Sequence, residues 1–257
     1  MEKIKKFTLL VVGCGGTGTY FLKEISRYLA NKNRDKLASM VIIDGDTIEK
    51  KNLSRQAFDI EDVGRNKADV MAEVLNDAFN LKWKAYCDYI FNVSQIECLI
   101  KNGTIPVIIG CVDNHGCRLI LEEFFYSEQS CIYFDAANEE AQGECVFSVN
   151  INNTVASPTR SYYFPDMLNS DVRGRDAISC EELNNSAPQH ILANMTSGLQ
   201  LLSAFVQLFE NDVLQTGYSV YDPFRFMNKA YSAEQCKWEP VDREEAEMLW
   251  KKSLMRL

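Results

Sequence analysis

Nine cysteines are present, yet no two stand in a CxxC pair, so the chain offers neither a paired-cysteine zinc site nor, with an odd count, a closed disulfide scaffold. Reduced thiols fit this usage. No apolar run approaches the roughly 20 residues that a membrane span needs, and the opening MEKIKKF leads straight into a strand. The expectation is therefore a soluble cytoplasmic protein with no membrane partner. Positive charge is also in deficit: 27 Lys and Arg face 36 Asp and Glu, a net charge of -9. That balance excludes the extended basic face required by a phosphate backbone, so no nucleic acid partner is expected. Internal repeats and low-complexity segments are absent, and 257 residues are read most simply as a single α/β domain.

What is present alternates strand with helix. FTLLVVG, MVIID, WKAYCDYI, PVIIGC and CIYFD read as strands, several as continuous apolar runs of the kind a sheet covered on both faces requires. Between them, Phe21, Leu22, Ile25, Tyr28 and Leu29 fall at helical spacing, as do Val70, Met71, Val74, Leu75 and Ala78 after Lys67. Ser94 with Glu97 forms a capping-box pattern for a short helix ending near Gly103. A helix follows through Arg118, Leu121 and Phe125. GECVFSVN alternates and is reached by AANEEAQ, a link too short for a crossover helix, so it lies antiparallel beside CIYFD. The fold class is a doubly wound, Rossmann-like, mostly parallel sheet with helices on both faces, a long crossover loop and antiparallel C-terminal strands.

The single domain, 1–257, divides into a core at 7–150, a polar segment at 152–187 and C-terminal helices with a hairpin at 188–257. The middle segment loses periodicity and carries Pro158, Pro165, Gly174 and the arginines at 160, 173 and 175. A stretch of that length inside a compact domain reads as a functional loop. A helix resumes near Pro188 and runs through ILANMTSGLQLLSAFVQLF, then YSVYDPFRFM suggests a hairpin and EEAEMLWKKSL a final amphipathic helix.

The chemistry concentrates between Phe7 and Gln56. After the first strand, GCGGTG sets Gly13, Gly15 and Gly18 in G-x-G-x-x-G spacing, with Gly16 between them, where backbone can approach a phosphate at a helix N-terminus. That spacing by itself suits a nicotinamide or flavin site equally well. Asp44 at the end of the second strand could hold a ribose in either case. Asp46 and the NLSRQ tail discriminate, because a dinucleotide-binding protein has no use for them.

The run from Asp44 to Gln56 resembles the D-x-D-x-V-x-x-x-N-L-x-R-Q motif of the ThiF/MoeB/HesA superfamily, the adenylating fold of ubiquitin-activating enzymes and their bacterial relatives. Asp44, Asp46, Ile48, Asn52, Leu53, Arg55 and Gln56 stand at its positions, with Ile for Val as the sole substitution. DVGRNKA is similar to the family's V-G-x-x-K-A and CVDNHGCR to its D-N-x-x-x-R, supplying Lys67, Asp113, Asn114 and Arg118. The resemblance implies ATP and Mg²⁺ as cofactors and adenylation of a carboxylate. Bringing that carboxylate to a triphosphate demands cations, so Arg55 and Lys67 are the phosphate-holding candidates, Asp113 the metal ligand and Asp44 the ribose acceptor. Asn52 and Gln56 orient. Only six residues precede Phe7, so the further arginine that relatives take from a helix before strand one is expected to be missing or to come from elsewhere, and Arg27 is the substitute considered.

Beyond residue 130, YFDAANEEAQGECVFS and SCEELNNSAPQHILANMTSG look like the ThiF-type proteins of PRTRC plasmid systems and the activating proteins of bacterial antiphage conjugation operons. The paired cysteines common in ThiF and MoeB are missing, with Cys236 alone. That resemblance implies an activating enzyme for a ubiquitin-like protein, working as a homodimer and passing its cargo to a ubiquitin-conjugating-type enzyme. Cys180 is the candidate thioester nucleophile, set before His190 in a cysteine, proline, histidine order similar to that family's, although Glu181 and Glu182 would raise its pKa. The alternatives are an incidental cysteine in an adenylation-only activator of a sulfur carrier, peptide or tRNA, and a non-catalytic partner subunit. His115 is read as a local hydrogen-bonding residue.

Overall fold

The computed structural model describes residues 6–168, 189–212 and 214–255. Its centre is a parallel sheet of β1 (Phe7–Val12), β2 (Leu37–Ile43), β3 (Trp83–Tyr86), β4 (Ile105–Gly110) and β5 (Cys131–Asn138), ordered β3-β2-β1-β4-β5. Antiparallel β6 (Gly143–Ile151) continues it from β5, as the short link requires. One half of β6 then pairs with β7 (Thr154–Ser157), itself bordered by β10 (Val241–Asp242). The other half pairs with β8 (Tyr218–Asp222), which forms a hairpin with β9 (Met227–Tyr231).

Alternation along β1 explains the layers. Leu9 and Val11 face a core shared with α1 (Gly16–Asn31), α2 (Lys67–Phe79) and α6 (Ile191–Asn211), through Phe21, Leu22, Ile25, Val70, Leu75, Leu201 and Phe205. Leu10 and Val12 face the other side, against α3 (Val93–Leu99), α4 (His115–Ser127) and α7 (Arg243–Met255), through Ile96, Leu121, Phe124, Phe125 and Trp250. Each such fully buried side chain contributes roughly 1.5–3 kcal/mol.

Several expectations change in detail. Asn92 rather than Ser94 caps α3: its side chain accepts from Gln95 N at 3.1 Å, while Gln95 Oε1 accepts from Phe91 N at 2.7 Å. This reciprocal pair begins the helix two residues earlier than the Ser94 pattern did. The WKAYCDYI strand ends at Tyr86, because only Trp83 to Tyr86 pair with β2. The polar segment after 152 still holds order, namely β7 and the short α5 (Arg160–Tyr163). Finally, α6 is long and apolar enough to cross a bilayer, contrary to the expectation that no run approaches that size. Its buried stripe, Ala193, Ser197, Leu201, Ala204 and Phe205, is instead packed against α1 and the sheet.

The parallel register positions the site. Val12 lies beside both Ile43 and Gly110, Ile43 beside Tyr86, and Gly110 beside Asp135. Gly13, Asp44, the segment at 88–91 and Asp113 therefore leave the sheet along one carboxyl edge, where the order reverses between β1 and β4. Ligands of open α/β sheets bind at such a switch point.

Candidate functional site

Each glycine after β1 meets a different constraint. Gly13 has φ +98°, and a Cβ there would lie 2.7 Å from the Cys111 carbonyl oxygen. A Cβ on Gly18 would run into Gly13's carbonyl, and one on Gly16 into the Asn194 amide of α6. These three serve the tight fit of loop and helices. Gly15 alone has nothing within 4 Å of a built Cβ, so the loop is open there, beside the N-terminus of α1 and its unpaired backbone donors.

At the end of β2, Asp44 turns back on its own loop. Its carboxylate accepts from Cys14 N at 2.5 Å and Asp46 N at 2.8 Å. Burial raises its pKa to about 6, opposed by Lys67 and reinforced by Asp46. Asp46 pairs with Lys67 Nζ at 2.8 Å and accepts from the Tyr89 hydroxyl. Although burial works against it, these contacts hold the Asp46 carboxyl below its usual range. Asn66 locks the arrangement: its Oδ1 caps α2 at Ala68 N and Asp69 N, and its Nδ2 donates to the carbonyls of Asp44 and Asp46.

Arg55 and Gln56 follow a short 3-10 turn at Lys50–Ser54. Arg55 is half-buried and donates to Gln189 Oε1 at 3.4 Å. Gln56 is buried, and its Oε1 finds no hydrogen-bond partner among the described residues. Asn52 holds the turn by accepting from Glu49 N at 2.8 Å. Across the sheet, Asp113 is exposed, Asn114 caps α4 at Cys117 N, and His115 has a pKa lowered by burial and by Arg118 and Arg160. His115 is not the local hydrogen-bonding residue expected, because its Nδ1 is buried with no partner among the described residues. His190 caps α6, its Nδ1 accepting from Leu192 N at 3.1 Å.

Apart from His190 and α6, these segments border one cleft of about 1350 Å³. Gly13, Gly15, Gly16, Asp44, Asp46, Arg55, Gln56, Lys67 and Asp113 line it; Gly18 and Asn52 stand behind it. Small-molecule sites usually occupy roughly 300–1,000 Å³, so this cleft has room for a nucleotide and part of a second substrate. Arg27 is not part of it. That side chain is exposed on α1 and pairs with Glu24 at 2.8 Å.

A group that the sequence did not bring together, although Arg118 stood in its D-N-x-x-x-R pattern, closes the far wall. Arg118 and Arg160, both buried, share the Asp135 carboxylate on β5, where its pairing with β4 ends, and Arg160 also reaches Glu144 at 2.7 Å. Arg118 additionally donates to the carbonyls of Val112 and Ala136. The signal was Arg160 in an otherwise uncharged stretch, ASPTRSYYF, but nothing in its spacing pointed to Asp135.

The donor set fits a magnesium nucleotide. Among the described residues no three His, Cys, Asp or Glu side chains are grouped for a metal, and Mg²⁺ is typically held by one or two carboxylates together with substrate phosphates. Asp113, exposed into the cleft, is such a carboxylate. The open loop at Gly15 and the orphaned Gln56 oxygen fit a nucleotide on the other side. Cysteines near the cleft do not offer a thiolate: burial raises Cys14 and Cys111 well above the usual range and Cys117 to about 12. Cys180, Arg173 and Arg175 lie outside the described residues.

The model of the ThiF family matches residues 1–235. This chain belongs to the ThiF family. Over 134 residues it is 26% identical to ubiquitin-like modifier-activating enzyme 5 of Bombyx mori, covering 47% of this chain and 31% of that protein. It is also 26% identical over 170 residues to ubiquitin-activating enzyme E1 1 of Arabidopsis thaliana, covering 63% of this chain and 14% of that one. The chain thus spans less than a third of the length of either curated relative. Among solved structures it resembles E. coli MccB with ATP, with TM-score 0.62 and 15% identity, covering 90% of this chain and 64% of that one. This likeness shows a shared ThiF-like fold.

Proposed function

We propose that this ThiF-family chain is an ATP-dependent activating enzyme that adenylates the C-terminal carboxylate of a ubiquitin-like protein. The observation that carries the reading is the convergence of Arg55, Lys67, Asp44 and Asp113 on one cleft at a topological switch point. Such a set answers the charge problem of the reaction. Asp44 accepts from ribose hydroxyls, the α1 N-terminus and Gly15 backbone meet phosphate oxygens, and Lys67 and Arg55 offset their charge. Asp113 would hold Mg²⁺, which would supply charge neutralisation at the phosphates. A substrate carboxylate oxygen bonds to the α-phosphorus as the bond to the bridging oxygen breaks, giving acyl-AMP and pyrophosphate.

A second half-reaction on Cys180 follows if its thiol gives its proton to solvent and its sulfur displaces AMP, leaving a thioester for a ubiquitin-conjugating-type enzyme. The raised pKa values of the cleft cysteines favour a nucleophile elsewhere in the chain. Isotope exchange between pyrophosphate and ATP, with glycine-ended tails supplied, tests adenylation; a gel-resolved, reductant-sensitive adduct tests capture. Exchange without an adduct favours the adenylation-only reading, and neither favours the non-catalytic partner subunit. A homodimer is part of the proposal, and a monomeric mass by light scattering would refute it.

A further inference from the structure

Two aromatic side chains line the cleft beside Asp44 yet remain open to solvent, Tyr89 at 50% and Phe91 at 55% exposure. They forgo the burial that rings of this size normally find. Their rings meet edge to face, 6.0 Å between centroids. The Tyr89 ring packs closely against the loop at Gly45, where a built Cβ would come within 2.6 Å of it, and its hydroxyl reaches Asp46. The segment is held before any ligand arrives. Gln95 of α3 donates to the Tyr89 carbonyl and the Tyr86 hydroxyl and accepts from Phe91 N, and Asp88 accepts from Tyr89 N.

Resting on the nucleotide reading of the cleft, we infer that Tyr89 and Phe91 form the platform on which the purine base stacks, and so set base affinity. A ribose held by Asp44 presents its base to the segment leaving the neighbouring strand, and the register puts 88–91 there, since Ile43 lies beside Tyr86. A flat π-face on a pre-ordered ring binds with little loss of side-chain freedom. Neither ring carries a charge to offset phosphate, so stacking separates from the work of Arg55 and Lys67, and Tyr89→Phe isolates the hydroxyl's link through Asp46 to Lys67.

The test is equilibrium titration of the whole chain with Mg²⁺ and either ATP or inorganic tripolyphosphate, comparing wild type, Tyr89→Ala, Tyr89→Phe and Phe91→Ala. Removing a stacking ring should weaken ATP by roughly five- to a hundredfold. Tripolyphosphate, which has no base, should bind all four proteins alike, and Tyr89→Phe should retain most of the ATP affinity because it keeps the ring. Thermal unfolding of each variant checks that these half-exposed positions leave the fold intact. If Tyr89→Phe loses as much as Tyr89→Ala, the hydroxyl on Asp46 matters and stacking is overturned. If wild type binds ATP and both alanine variants bind it equally well, the platform fails while the nucleotide site stands; wild type that binds no ATP overturns both.

Discussion

Burial lifts the Asp44 carboxyl from its ordinary 3.8 to about 6, and both consequences have a definite sign. The folded chain holds this proton more tightly than the unfolded one, so the stabilisation from neutral Asp44 is complete below about pH 4 and is lost as pH rises through about 6. Ribose binding needs the opposite state. ATP affinity should therefore fall severalfold between about pH 7.5 and about pH 5.5, and Asp44→Asn should flatten that profile at a lower overall affinity. An unchanged wild-type affinity across this range would remove Asp44 from the ribose site. Arg55 makes a different prediction, because its only described side-chain partner is the long contact to Gln189. Arg55→Ala should cost at most about 0.5 kcal/mol in unfolding and lower pyrophosphate exchange roughly a hundredfold.

At the scale of elements, the junction between β2 and α2 depends on one cap. Asn66 satisfies two donors at the start of α2 while holding the carbonyls of Asp44 and Asp46 from its amide nitrogen. Asn66→Ala should lower stability by about 1–2 kcal/mol through the cap, measured by urea unfolding, and should weaken ATP as well. Asn66→Asp separates the two effects, since a carboxylate still caps the helix but cannot donate to the loop carbonyls. Stability near wild type with ATP still weakened is the expected result.

Across the whole molecule, Asp135 joins the parallel core to the antiparallel extension. It sits within β5 between Arg118 of α4 and Arg160 of α5, and Arg160 continues to Glu144 on β6. Removing Asp135 leaves two buried guanidinium groups without their shared anion. Asp135→Ala should destabilise by about 3–5 kcal/mol. Glu144→Gln should cost far less, because Glu144 keeps 29% exposure against 1% for Asp135. Equal unfolding midpoints for the two variants would show that the network carries no special share of stability.

Local order in this chain was legible because it is written in local patterns. Continuous apolar strands, helical spacing after Gly16 and Lys67, and a link too short for a crossover settle the doubly wound sheet and its antiparallel turn at β6 from sequence alone. The order of Asp44, Asp46, Arg55, Gln56, Lys67 and Asp113 along the chain likewise points to one adenylating site before any coordinates. Only the tertiary structure decides what those residues touch. Lys67 is anchored on Asp46, and the three glycines at 13, 16 and 18 are occupied by their own chain, leaving Gly15 open. Arg118 braces strand ends, and Tyr89, unremarkable within WKAYCDYI, becomes a cleft wall because β3 stops at Tyr86. Such facts depend on contacts between residues tens of positions apart, whose register is set by the sheet as a whole, and no spacing within a single segment encodes them.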